Sequence, residues 1–400
     1  MWKFKRQNAF PKLRHALFAV LFSVTLLFPT MPTRAATDVA LAAQAKAAIL
    51  MDANTGTILF AKNEHQRLPI ASVTKVMTML LAFEAIDRGQ VHFTDQIRTS
   101  EYAASMGGSQ IFLKPGEQMT LRDLLKGIAI SSANDAAVAV AEHLAGSEAN
   151  FVRLMNSRAQ ALHLKNTHFA NTNGLPIADH YSSAYDLAVI SRELMKHEQV
   201  PQFTGVYSDH LRKHTDRPFW LVNTNKLVRF YQGMDGIKTG YTSEAKYCLA
   251  ASAKRNHFRV IAVVLGEPTA PVRNAEVTEM MNYAFSHYDI KSVYAKGQVV
   301  TLAPVLRGQT QAVGVTPIRP VGILVSKMDH SITGKVTIDL LPLIAPIKKG
   351  QVAGYAKIVT NDKVVAAIPL ITLSSIEKVS FFEMLGRSLH SLFVLGTKRL

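Results

Sequence analysis

GIKTGYTSEAKYCLAASAKRNHFRVIAVVL, residues Gly236–Leu265, is the stretch that decides the fold. It falls into three short runs, Gly236–Tyr241, Tyr247–Lys254 and Phe258–Leu265, separated by polar turns. Short apolar runs bounded by turn residues read as strands. Upstream, Ala47–Asp52 and Thr57–Lys62 flank the turn signal Asn54-Thr55-Gly56 and predict a hairpin. The chain between these two groups is helical. An apolar-periodic segment runs from Ser72 to Arg88 and stops at Gly89. Thr120-Leu121-Arg122-Asp123 and Ser183-Ala184-Tyr185-Asp186 have capping-box form ahead of the apolar stretches Leu124–Ile130 and Leu187–Leu194. A further helix is expected over Arg273–Ser286. Strands, helices, strands and a helix in that order predict an α+β domain on an antiparallel sheet.

From about Asp289 the texture changes. Val299–Pro304, Val313–Ile318, Gly322–Val325, Lys335–Leu341, Gln351–Val359 and Val364–Leu370 alternate with Gly and Pro. This pattern predicts a small all-β sandwich. In the tail, Val379, Phe382, Leu385, Leu389, Leu392 and Phe393 recur at three- and four-residue intervals among mostly basic polar positions. Such a helix suits a membrane interface, or it could dock on the β domain through the same stripe. At the other end, a basic stretch precedes the apolar run Ala16–Phe28, and Thr33-Arg34-Ala35 supplies small residues for cleavage. That is the form of a secretory signal. The expected organisation is a signal over 1–36, an α+β domain over 37–287, a β-sandwich over 288–372 and an amphipathic helix over 373–400.

The net charge is +16 over 400 residues, and 48% of the residues are hydrophobic, ample for a buried core. Six basic residues and no acid fall in 1–36, which leaves +10 for the remainder. A basic protein suits an anionic partner. No Lys/Arg run with interleaved aromatics occurs, so nucleic acid is the weakest choice, behind anionic lipid and an anionic cell-wall polymer. The single cysteine, Cys248, excludes an internal disulfide and sits in a strand-like run, as a structural thiol would.

The chemistry begins at Ser72-Val73-Thr74-Lys75. Residues three apart share a helix face, and a helix N-terminus favours developing negative charge. A serine hydroxyl needs a base. Lysine serves only if burial or a second cation lowers its pKa. Ser-x-x-Lys alone is weak, since Ser243-Glu244-Ala245-Lys246 and Ser375-Ile376-Glu377-Lys378 repeat it. Two further signals follow in order. Ser132-Ala133-Asn134 interrupts an apolar helical region where such residues are unfavourable. Lys238-Thr239-Gly240 lies on a strand, where a glycine admits close approach of a backbone or ligand.

Together these three motifs resemble the penicillin-binding proteins and serine β-lactamases. Ala71–Thr78, Ser132–Ala136, His180–Asp186 and Asp235–Tyr241 are similar to the low-molecular-mass D-alanyl-D-alanine carboxypeptidases, over about residues 45–285. Met106–Phe112 and Val222–Gly233 look most like members from Gram-positive, spore-forming bacteria. The resemblance implies a transpeptidase-like α+β fold with a following β domain and anchor helix. It implies that the terminal D-Ala is removed from peptidoglycan stem peptides, that β-lactam antibiotics acylate the same serine, and that no cofactor is needed. By the same resemblance, Ser72 is the nucleophile, Lys75 its base and Ser132 a proton relay. Asn134 binds the substrate amide. Lys238 lowers the Lys75 pKa, Thr239 holds the terminal carboxylate beside Gly240, and the backbone N–H groups of Ser72 and Tyr241 form the oxyanion hole. The implied location is the outer face of the cytoplasmic membrane.

The sequence departs from some relatives at Tyr241, where His occurs, at Ala133, where Gly occurs, and at Thr224, where a basic residue helps bind carboxylate. Rival readings are weaker. A β-lactamase would need a Glu with a following Asn between the second and third motifs; Glu193 lacks the Asn, and Glu279-Met280-Met281-Asn282 comes too late. His210 and His214 have the spacing of a helical zinc site without its Glu. A non-catalytic wall-binding protein would have no reason to keep all three motifs.

Overall fold

The computed structural model describes residues 41–213, 215–328, 334–360, 362–380 and 383. The expected signal segment and the tail beyond residue 383 lie outside them.

Gly236–Leu265 folds as three antiparallel strands, Met234–Thr242, Lys246–Arg255 and Phe258–Glu267. The Ala47–Asp52 and Ile58–Lys62 hairpin completes a five-stranded sheet by pairing Ala47–Asp52 with Phe258–Glu267. The strand carrying Lys238-Thr239-Gly240 is therefore an edge strand.

The central strand shows why its run Val260–Leu265 is apolar on every residue. Ile261, Val263 and Leu265 point into a core that includes Val76, Met77 and Leu80 of the Lys75–Asp87 helix. Val260, Ala262 and Val264 point the other way, onto Val277, Met280 and Ala284 of the Ala270–His287 helix. A sheet covered on both faces has no solvent side, so its strands lose the polar alternation of a half-exposed sheet.

Sequence caps set the helix starts. Thr120 and Ser183 each accept a hydrogen bond from the backbone three residues on, opening Leu121–Ser131 and Ala184–Leu194. One expectation is corrected: Ser72 does not lie on the α-helix. A 3₁₀ turn, Ala71–Thr74, precedes the helix, which starts at Lys75. In a 3₁₀ turn residues i and i+3 eclipse, so Ser72 and Lys75 are aligned more closely than α-helical geometry would place them.

After residue 287 the chain is β-rich. Six strands form one sheet, among them Val352–Thr360 and Lys363–Thr372, and a pair forms another. That pair joins Val321–Ser326 to Tyr288–Tyr294. The second of these was missed from sequence because its charged and polar residues break the apolar run. Residues 373–379 form a bend and two isolated β-bridges, not the start of a helix. Ile376 is buried in the β core, and it exchanges two backbone hydrogen bonds with Ile347. Ser380 and Glu383 then bond reciprocally, hydroxyl to N–H and carboxylate to N–H, as a capping box does.

Ile261 is fully buried at the centre of the sheet. Ile261→Ala is expected to lower unfolding stability by about 2–5 kcal/mol, measured by urea denaturation.

Candidate active site

Four pieces of backbone converge on Ser72. The first is its own turn, in which Ala71 adopts φ 46°. The second is the junction between Leu121–Ser131 and Asn134–Ala145, where Ser132 closes the first helix with φ 67°. The third is the edge strand, and the fourth is the loop Asn171–Gly174.

Glycines permit the contacts. A Cβ on Gly240 would lie 2.8 Å from the Ile70 carbonyl and 3.1 Å from the Ser72 nitrogen. This is the close approach that the strand glycine predicted. Gly174 has φ +84°, and a Cβ there would lie 1.9 Å from the Ala71 carbonyl oxygen. No side chain fits at that position.

Lys75 is completely buried. Its Nζ lies 2.9 Å from Ser72 Oγ, 2.6 Å from Asn134 Oδ1 and 2.6 Å from the Asn173 carbonyl. The Asn134 amide orientation is fixed because Nδ2 donates to the Gly107 carbonyl. Asn134 Oδ1 and the Asn173 carbonyl accept only. A neutral lysine amine has two N–H groups, and these two acceptors take both. Ser72 Oγ is the third group within reach of Nζ, and the Ser72 hydroxyl itself points to the Asn173 carbonyl at 3.4 Å.

Electrostatics favour that neutral form. Burial pushes the Lys75 pKa well below the lysine range, and the charge of Lys238 pushes it further, against an opposing pull from Asp135. Lys238 is also fully buried. Burial, and then Arg273, lower its pKa to about 7. Asp135 accepts backbone N–H bonds from Ile111 and Leu113, tying the segment that carries Gly107 to the Asn134 helix.

Thr239 Oγ1 donates to Thr224 Oγ1 over 2.7 Å. Thr224 N–H in turn bonds the Ile130 carbonyl, and Asn225 Nδ2 bonds the Gly236 carbonyl. The Asn223–Asn225 segment thus ties the edge strand to the helix ending at Ser131. His180 supports the Ser72 turn from behind. Its Nδ1 accepts from Ala170 N–H, so its Nε2–H donates to Thr74 Oγ1, which donates to the Ala71 carbonyl. Burial, followed by His168 and Lys75, holds the His180 pKa down at about 4.

The sequence motifs therefore meet. Ser72, Lys75 and Asn134 are in hydrogen-bond contact, and Gly240 packs on the Ser72 turn. Lys238 acts on Lys75 through charge. Ser132 sits beside Asn134, buried, and is not among the Lys75 partners. Tyr241 is 55% exposed, and its ring meets that of Tyr247 at a tilt, with centroids 4.4 Å apart.

A family profile described as D-alanyl-D-alanine carboxypeptidase matches residues 33–269. The chain belongs to this family. A second profile, the C-terminal domain of penicillin-binding protein 5, matches residues 288–378. The D-alanyl-D-alanine carboxypeptidase DacF of Bacillus subtilis (strain 168) is 49% identical over 350 residues, 87% of this chain and 90% of that one. DacA of Escherichia coli (strain K12) is 33% identical over 346 residues, 84% of this chain and 85% of that one. Penicillin binding protein 5 from Haemophilus influenzae superposes with a TM-score of 0.63 at 32% identity, covering 84% of this chain and 98% of that structure.

Within this carboxypeptidase-family site, three contributors escaped the sequence reading. Asn173 acts through its backbone carbonyl and Gly174 through its missing side chain, so neither carries a motif. Arg273 was read only as a helix residue, yet it is buried and shapes the Lys238 charge. The rival features stand apart. Glu193 pairs with Lys196. His210 lies on the strand Ser208–Leu211, stacked on Trp220, rather than on a helix, and His214 lies outside the described residues. Cys248 is buried opposite Gly240, with its pKa pushed up to about 11 by burial. It is the structural thiol expected.

Lys238→Met removes one of the two influences that depress Lys75. The Lys75 pKa should rise, and the acidic limb of the pH profile for acylation by benzylpenicillin should move to higher pH. Stopped-flow acylation rates across pH check this.

Proposed function

We propose that this chain is a serine D-alanyl-D-alanine carboxypeptidase in which Ser72 is acylated by the penultimate D-Ala carbonyl of a peptidoglycan stem peptide. One observation carries the assignment of roles. The buried Lys75 amine has both N–H groups committed to acceptors, and its remaining contact, at 2.9 Å, is Ser72 Oγ.

Lys75 takes the Ser72 proton as Oγ bonds to the carbonyl carbon. The oxyanion is held by the backbone N–H groups of Ser72 and Tyr241, from the turn and the strand that Gly240 brings together. The peptide C–N bond breaks, and Ser132 passes a proton to the departing D-Ala amine. Water then cleaves the acyl ester and restores Ser72 Oγ–H. The edge strand offers outward-facing backbone groups along which an extended stem peptide aligns. Asn134 binds the substrate amide, and Thr239, with Thr224 beside it, meets the terminal carboxylate. A β-lactam presents a strained amide to the same serine and remains attached as the acyl-enzyme.

The charge balance, the reading of residues 1–36 and the stripe after Ser380 support export and attachment to the outer face of the cytoplasmic membrane through the tail. The anchor begins after Ser380, since residues 373–379 belong to the β-rich domain.

Intact-mass spectrometry after incubation with benzylpenicillin should give a single adduct that maps to Ser72. Ser72→Ala should give none and release no D-Ala while keeping its thermal transition. A Ser72→Ala protein with full activity would overturn the assignment. For the tail, truncation after Ser380 should move the protein from the membrane pellet to the supernatant, and continued sedimentation would count against an anchor.

A further inference from the structure

A cavity of about 410 Å³ lies between the two domains and shares no residue with the Ser72 site. Its lining carries five Lys or Arg side chains against two carboxylates. Arg192, Lys196, Lys254 and Arg259 come from the catalytic domain, and Arg319 comes from the β-rich domain.

The carboxylates are already committed. Asp235 pairs with Arg259 at 2.7 Å, and Glu198 pairs with Lys296 at 2.8 Å across the domain boundary. Lys196 is matched by Glu193. Arg192, Lys254 and Arg319 have no ion pair among the described residues. Arg192 is held in place by the Ala53 and Asn54 carbonyls through Nε and Nη2. Arg319 makes no hydrogen bond among the described residues. It is partly buried, and the nearby Arg192 charge adds to burial in disfavouring its own, against an opposing pull from Glu193 and Asp52. Cations from two domains that face one cavity without a direct ion pair leave an electrostatic cost that an anion reduces.

We propose that this cavity binds a phosphate group between Arg319 of the β-rich domain and Arg192 and Lys254 of the catalytic domain, and that the anion fastens the domains together. Phosphate fits better than a single carboxylate. Free phosphate brings up to two charges and a phosphodiester one, and in both the tetrahedral oxygens accept from several donors at once: the Arg319 fork, Lys254 and the N–H groups of Arg192 that the Ala53 and Asn54 carbonyls leave. The basic balance of the chain suits a polymeric source, a phosphodiester of an anionic wall polymer; free phosphate is the other source of the same chemistry.

Isothermal titration of the purified full chain with inorganic phosphate, at constant ionic strength, should show one saturable site. Arg319→Gln should weaken it by about tenfold, while acylation by benzylpenicillin stays unchanged and reports an intact fold. Phosphate should raise the Tm of the unsubstituted chain but not of Arg319→Gln, whose Tm without phosphate should be equal or higher because the repulsion is gone. Competition by poly(glycerol phosphate) would assign the source to a polymer, and its failure to free phosphate. Absence of saturable binding, unchanged binding by Arg319→Gln, or equal competition by succinate would overturn the proposal.

Discussion

The burial of one lysine amine beside a second buried cation is the constraint on which the rest of this structure depends. Lys75 in water would be protonated and, in the proposed mechanism, useless as a base. Excluding water from it requires a closed apolar surround, and the Lys75–Asp87 helix supplies this by running through the main core. Burial alone would leave its N–H groups unsatisfied, at a cost of about 1–3 kcal/mol each. Asn134 and the Asn173 carbonyl meet that demand. Lys238 then biases the amine toward neutrality without touching it, and is held down in turn by its own burial and by Arg273.

The fold is arranged to make this closure possible. A sheet covered on both faces gives a rigid edge, and the edge strand brings Lys238 inward while Tyr241 stays exposed. The Ser72 turn fits against that strand only because position 240 lacks a side chain. His180 and Thr74 brace the turn from the opposite side through a chain of neutral hydrogen bonds. The depressed His180 pKa keeps that brace uncharged near neutral pH.

Much of this was legible in the sequence, for physical reasons. The central strand announced itself because double burial makes each residue of Val260–Leu265 apolar. Thr120 and Ser183 announced helix starts because a cap needs a particular side chain. Ser72, Lys75, Asn134 and Lys238 were legible because their chemistry demands residue types that are unfavourable in such surroundings. What stayed hidden acts without a distinctive side chain, or at a distance in sequence. Asn173 contributes a carbonyl that any residue would have. Arg273 lies 35 positions beyond Lys238 and resembles any helix arginine. The 3₁₀ turn at Ser72 could not be separated from the helix, because both keep residues three apart on one face. The tail helix expected from residue 373 gives way to the β-rich domain as far as Val379, because Ile376 and Val379 are both buried there.

The Asn171–Gly174 loop bears on how such a site can drift under antibiotic pressure. Its contribution to the base is a main-chain oxygen, which no codon change deletes. The residue that seats it has no room for even a methyl group. Variants that escape a β-lactam while keeping the peptidase working must therefore leave this loop as it is and arise at other positions.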